Sequence, residues 1–366
     1  MGTFTPSRLS LARKRRGMSK KALSEAAGLS VRSLTAYESG EKVPGDATLA
    51  LLADALAFPV EFFRRARIDS LPVGGSSFRA LSRMTATQRD QALSAGDLAL
   101  ELAQWIDARF QLPDPSVPRY RGIDPETAAQ AVRDEWALGE RPIRNMVHLL
   151  EAHGVRIFSL AEENREVDAF STWYLSIPFV FLNTMKSAEH SRMDAAHELG
   201  HLVIHSSHEA PRGRVEEQQA QQFGAAFLMP KGSVIADAPR SGRISDLIKA
   251  KRRWNVALSN LAYRMQALQL LTEWQYRSIF TEISRRGHRT REPNSIPPET
   301  SQVLGKVFLA LRDEGMSKAD VARELSMPIG ELDKLVFGLV LTTIEGEGES
   351  GTFEQNKRPE LKLVEG

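Results

Sequence analysis

Residues 194–205 read DAAHELGHLVIH. Two histidines four apart share a face only on an α-helix. His197 and His201 can then aim imidazole nitrogens at one ion, and Glu198, one step round, can reach a water beside it. Burying two histidines and a glutamate in one turn costs free energy unless they have partners. A catalytic zinc site takes three protein ligands and keeps a fourth position open. The motif therefore demands a second element, packed on this helix and bringing a third ligand. His205, His208, Glu209, Glu216 and Glu217 follow close behind. His205 continues the i+4 series but lies two turns past His197, too far round for one tetrahedral ion. It reads as a residue that caps the helix or supports a ligand from behind. Glu217 opens a further amphipathic stretch, EEQQAQQFGAAFLMP. Ala220, Phe223, Gly224 and Phe227 make a face that can pack on the HELGH helix, and Glu217 lies one turn before Ala220 on that face.

The residues around the motif alternate in character. RIFSL, DAFSTWYL and PFVFLN, between 156 and 183, are short runs of β-branched and aromatic residues that predict three strands. Almost everything else with a pattern is helical. A chain of 366 residues predicts two or three domains. It contains no cysteine, which excludes disulfides and thiolate ligands and fits a reducing compartment, here expected to be the cytoplasm. No apolar run approaches the ~20 residues that cross a bilayer, so no membrane role is expected.

Net charge is only +2, but residues 1–45 hold nine Lys/Arg against three Asp/Glu, a footprint for a polyanion. Within it, SKKALSEAAGLSVRSLTAYESG reads as two helices around a tight turn. Ser19 and Ser30 can cap them, and Gly28 supplies the left-handed residue between them. Leu29, Val31 and Leu34 would hold the second helix on the first, leaving Arg32, Ser33 and Ala36 outward. In a helix-turn-helix this end of the second helix enters the major groove, where Arg can grip guanine and Ser can bond base edges. Lys20, Arg13, Arg16 and Lys42 are the candidates for phosphate contacts. Two copies on a palindromic operator, with half-sites ~34 Å apart, are the geometric expectation, hence a homodimer on double-stranded DNA.

Residues 7–63 resemble the Cro/CI-type helix-turn-helix (XRE family) in the AAGLS turn, in Tyr37-Glu38-Ser39-Gly40 and in Pro44. They depart from it at Lys20, where Gln is frequent. Residues 140–285 resemble the ImmA/IrrE family of metallo-endopeptidases in AAHELGHLVIH, in the preceding PFVFLN and in RWNVALSNLAYRMQALQLL. The family's Glu-x-x-Ala-x-x-Phe-Ala element matches Glu217, Ala220 and Phe223, with Gly224 where Ala is usual, which loosens that helix slightly but removes no ligand. This likeness gives the third-ligand role to Glu217, with Glu216 as fallback. It implies Zn²⁺ as the metal, although two histidines and a carboxylate also suit Mn²⁺ or Fe²⁺.

The fold class expected is α+β and mainly helical: a helix-turn-helix bundle over 1–70, a linker and helical connector over 71–139, and a zincin-like domain with a short twisted sheet over 140–290. A small helical segment over 299–343 and a disordered tail over 344–366 complete the chain. GMSKKALSEAAGLSVRSL (17–34) and GMSKADVARELSMPIGEL (315–332) align without a gap, as two copies of one helix-turn-helix plan would. Together the resemblances imply a DNA-binding regulator with a zinc endopeptidase that cleaves a repressor-type protein, or itself, in a stress or mobile-element response. Two other readings fit the same residues. In one, the zinc domain is a non-catalytic sensor or scaffold. In the other, the chain is an antitoxin-like interaction module, with LDKLVFGLVL (332–341) as its contact helix.

Overall fold

The computed structural model describes residues 3–72, 85–160, 169–205, 213–239 and 241–340. These fall into two compact units. The first takes in the stretches ending at Leu71 and Pro113 and resumes at Ser301; the second includes Asp114 to Thr300.

The first unit starts with α1 (Pro6–Arg15), α2 (Lys20–Ala27), α3 (Val31–Ser39), α4 (Asp46–Leu56) and α5 (Ala86–Asp107). Pro6 stands in the first turn of α1, where its missing N–H costs nothing. Ser19 Oγ accepts from Ala22 N and Ser30 Oγ from Ser33 N, both at 3.0 Å. Gly28 ends α2 at φ +66°, where a side chain would be strained. Leu9, Leu23, Leu34, Leu52, Phe62 and Phe63 form the core. α5 opens on a capping box of Thr85 and Gln88 and lies along α1. Arg8 of α1 and Glu101 of α5 pair at 2.7 Å in the buried seam.

The second unit contains α6 (Pro125–Glu135), α7 (Met146–Ala152), β1 (Arg156–Ser159), β2 (Phe170–Tyr174) and β3 (Ile177–Leu182). It continues with α8 (Ala188–Ile204), α9 (Arg214–Leu228), α10 (Lys231–Asp237), α11 (Ile244–Ala250), α12 (Leu258–Ala267) and α13 (Glu273–Arg285). The three strands stand where the sequence predicts them. β3 is central, parallel to β1 and antiparallel to β2. α8 packs on β2 and β3 and, most extensively, on α9. The two helices approach closely because two glycines let them. A Cβ on Gly200 would lie 3.0 Å from the Phe223 ring, and one on Gly224 would lie 3.0 Å from the backbone N of His197. Gly224 is therefore the contact point of the two helices, where the sequence suggests only a slightly looser α9.

Buried charges fix both helices. The fully buried Arg133 donates to the carbonyls of Phe227, Gly139 and Arg141, and Arg264 donates to that of Met229. Two guanidinium groups thus meet the C-terminal end of α9, the negative end of its dipole. On α8, Arg192 pairs with Glu299, and Lys251 bridges Glu189 and Glu292. Residues 292–299, which hold three prolines and no basic residue, are pinned to α8. Ser295 Oγ and Ile296 N donate to Glu189, and Glu299 also accepts from Met146 N at the start of α7.

The chain then returns to the first unit as α14 (Gln302–Asp313), α15 (Lys318–Glu324) and α16 (Ile329–Val336). The internal echo has a structural counterpart. Gly17 and Gly315 both adopt positive φ, and Ser19 and Ser317 both cap the helix that follows. In the second copy the helix corresponding to α3 turns inward. Glu331 accepts from Arg15 at 2.5 Å and also from Arg16, so α16 docks on α1. The units do not follow the segments suggested along the chain. Within 71–139, α5 belongs to the first unit and α6 to the second, and 301–340 folds back onto the first. The pairs that decide this, Arg8–Glu101 and Arg15–Glu331, join residues 93 and 316 positions apart. The tail over 344–366 lies outside the described residues, as do His208 and Glu209.

Candidate metal centre and DNA-contact surface

α8 presents His197 and His201 one turn apart, with their Nε2 atoms 3.0 Å from each other. Glu217, in the first turn of α9, lies 3.7 Å from His197 Nε2 through Oε2 and 3.6 Å from His201 Nε2 through Oε1. A tetrahedral zinc with ~2.0–2.1 Å bonds sets its ligand atoms about 3.3 Å apart. The three edges bracket that value. Glu198 also lies near, with all its closest donor distances to the two histidines within 4.8 Å. The Glu217 distances match a ligand edge, whereas Glu198 is otherwise engaged. Ser171 Oγ, on β2, donates to Glu198 Oε2 at 2.6 Å. This holds the carboxylate against the sheet, beside the histidine pair. Sequence reasoning missed Ser171, since nothing local ties a strand serine to a glutamate 27 residues on.

The protons behind His201 can be placed. Gln219 Oε1 lies 3.1 Å from His205 Nε2, and His205 Nδ1 lies 2.8 Å from His201 Nδ1. A carbonyl oxygen only accepts, so Nε2 of His205 carries the proton and its Nδ1 accepts from His201 Nδ1–H. This leaves His201 Nε2 with its lone pair facing His197 and Glu217. Burial, and after it the neighbouring His205 ring, pushes His201 down to about 3, so it is neutral at pH 7. His205 is lowered too, chiefly by burial. A neutral ring, a carboxylate and a second imidazole converging within 3.7 Å form a donor set that fits a divalent cation. Trp173, on β2, is built into the packing. Its Nε1 donates to Leu202 O at 3.2 Å, and Arg119 lies over its ring.

In the first unit, α3 carries the candidate DNA contacts. Arg32 is exposed, Ser33 is half-buried, and Ser30 caps the helix with its Oγ 2.9 Å from Ser33 Oγ. Lys42 is exposed. Lys20 Nζ lies 3.4 Å from Thr35 Oγ1 and 3.5 Å from Glu38. Three of the expected residues are placed otherwise. Ala36 is buried, at 8% exposure, because α3 packs on both α1 and α2 and keeps only a narrow outer strip. Arg13 is clamped to Glu38 at 2.6 Å and to Met18 O, and Arg16 to Glu331 and to the carbonyls of Leu56 and Ala57. Both hold the domain together and are not presented to phosphates. Thr35, missed in the sequence, is exposed beside Arg32, and so is Val31, which the sequence instead assigns to the packing of the second helix on the first.

Residues 9–63 match the model of a helix-turn-helix family, and residues 150–266 match that of the IrrE N-terminal-like domain, an M78 peptidase family. The chain joins a helix-turn-helix domain to an IrrE-like domain. It is thus a DNA-binding regulator by its first domain and carries a protease-family domain in its second. A search of curated proteins found no match. The IrrE-like match begins in α7 and ends in α12, so it includes the sheet and both site helices. α6, which supplies Arg133, and residues 292–299 lie outside the match and brace the IrrE-like domain. Among the described residues no helix is long and apolar enough to cross a membrane.

Proposed function

We propose that the IrrE-like domain is a zinc-dependent endopeptidase, with His197, His201 and Glu217 as ligands and Glu198 as general base. The observation that carries this reading is the triangle of 3.0, 3.6 and 3.7 Å between the three donor groups, with the Glu198 carboxylate beside it. Bound there, Zn²⁺ would lower the pKa of a water to ~7 and polarise a carbonyl. Glu198 takes the proton of the attacking water on its carboxylate and returns it to the leaving amine. Ser171 keeps Oε2 of that carboxylate in place, and His205 keeps the His201 lone pair directed inward.

The helix-turn-helix domain reads an operator through Arg32 and its neighbours on α3, with Lys42 on the phosphates, as a homodimer on a palindromic site. The substrate in this reading is a repressor-type protein, or the chain itself, met at the operator. The test is to load the chain with zinc, incubate it on operator DNA with the proteins that share the site, and map new N-termini by mass spectrometry. Wild type should produce them and Glu198→Gln should not. If regulation in cells is intact in Glu198→Gln, proteolysis is not the mechanism and the domain is a sensor.

A further inference from the structure

The first unit contains a cleft of about 440 Å³, none of whose lining residues belongs to α2 or α3. That size falls in the range of small-molecule sites. One wall is Arg8 of α1. Another is the backbone stretch after the turn at Val60–Arg64, which brings Arg65 and Arg67. The third is α5, with Glu101, Trp105 and Arg109. The cleft is thus lined by four arginines against one glutamate.

We propose that this cleft binds a small organic polyanion, phosphorylated or polycarboxylic, and that the ligand acts on the DNA-binding unit. The arginines are graded for the task. Arg8 is buried and fixed, donating through Nε to Ala66 O at 2.7 Å and through both Nη atoms to Glu101. Arg65 shares Glu101 at 3.1 Å. One carboxylate therefore faces two guanidinium groups at the floor, which leaves an excess of positive charge. Arg67, at the mouth, is exposed and has no ion-pair partner among the described residues.

The chain itself displays how an anion sits there. Glu324 Oε2 accepts from Trp105 Nε1 at 2.9 Å and from Arg109 Nη2 at 2.5 Å, while the Arg109 guanidinium lies over the Trp105 ring with its Cζ 4.0 Å from the centroid. The Glu324 side chain is 40% exposed, so it is a replaceable occupant of a two-donor seat. An incoming carboxylate or phosphate takes the same N–H groups, and guanidinium forks match either anion. Ile68 and Leu325 offer apolar surface for the rest of the molecule. A duplex reads a protein from outside, across phosphates spaced along a groove, whereas this cleft is concave. Its walls come from α1 of the helix-turn-helix domain, from the stretch after Val60–Arg64, from α5 and from the end of α15, so a ligand ties these elements together.

Isothermal titration of the full chain with adenosine diphosphate and, separately, citrate tests this. Saturable binding of either is expected, and the one that binds names the anion class. Arg67→Glu should weaken it at least about tenfold, because it reverses a charge at the mouth. That variant should melt like wild type, since Arg67 supports nothing else. Glu324→Gln should tighten binding severalfold, because it removes the competing carboxylate and keeps the size. A merely structural role for Glu324 does not raise affinity. Absence of saturable binding with both probes overturns the proposal, as does binding that ignores both substitutions. Arg67→Glu lowering duplex affinity in a gel shift while leaving both probes unaffected also overturns it, assigning the arginines to DNA.

Discussion

Replacing Gly224 by alanine tests how closely the metal centre depends on the approach of α8 and α9. The new Cβ would stand 2.9 Å from Met193 Cε, 3.0 Å from His197 N and 3.2 Å from Ala196 C. The methionine tip can swing away, but the backbone of α8 cannot. Ordinary contact begins near 3.4 Å, so the two backbones must part by about 0.4 Å. Glu217 rides on the same rigid helix, two turns earlier. Metal–ligand distances tolerate only about ±0.2 Å, so the separation falls directly on the 3.6 and 3.7 Å edges. Overpacking costs about 1–3 kcal/mol, and alanine returns about 1 kcal/mol of helix propensity. The net loss of stability without metal is then about 0–2 kcal/mol. Disturbing the support of a ligand typically weakens metal binding about 10–100-fold. Competition with a chromophoric chelator measures the zinc affinity, and a denaturant melt measures the stability. Wild-type zinc affinity together with a stability gain of about 1 kcal/mol, as propensity alone gives, would refute the backbone contact.

His205→Ala removes the acceptor that holds the His201 tautomer and should weaken zinc about 10–100-fold with the fold intact, read by the same chelator assay. Glu331→Gln leaves Arg15 and Arg16 without their carboxylate and should cost about 3 kcal/mol or more in a urea melt at pH 7. Burial pushes Glu331 up, but Arg15 and Arg16 outweigh it and hold it below 4.5. Its contribution is therefore complete above pH 4.5 and is lost as pH falls through the lowered value, so the substitution should flatten the acid limb of stability. Arg32→Ala should cost operator binding about 1–3 kcal/mol and relax the sequence preference at one position, in a salt titration of operator and mixed duplexes. Arg13→Ala should lower the melting temperature instead, because its guanidinium is spent on Glu38.

Local patterns carried much of the reading. Three strands were visible as β-branched runs, Ser19 and Ser30 as caps, and the HELGH spacing as one helix face. The approach of Glu217 to the two histidines was legible through the packing face it shares with Ala220 and Phe223. What stayed hidden was set by partners distant in sequence. Arg13 and Arg16 look like a phosphate-binding run until Glu38 and Glu331 are found against them. Nothing local in residues 292–299 shows that Glu299 anchors Arg192 on the site helix, or that Glu292 anchors Lys251, which also reaches Glu189 of that helix. Ala36 failed for a subtler reason: a helix wedged between two others buries two faces, and periodicity assumes one.

The most direct test of the metal centre is the zinc content of purified wild type beside His197→Ala and Glu217→Ala, after zinc is supplied and the excess removed. The expected result is about one zinc per wild-type chain and none in either variant, with all three proteins folded. A folded wild type without metal, or a Glu217→Ala variant that keeps its full zinc, would contradict the three-ligand centre.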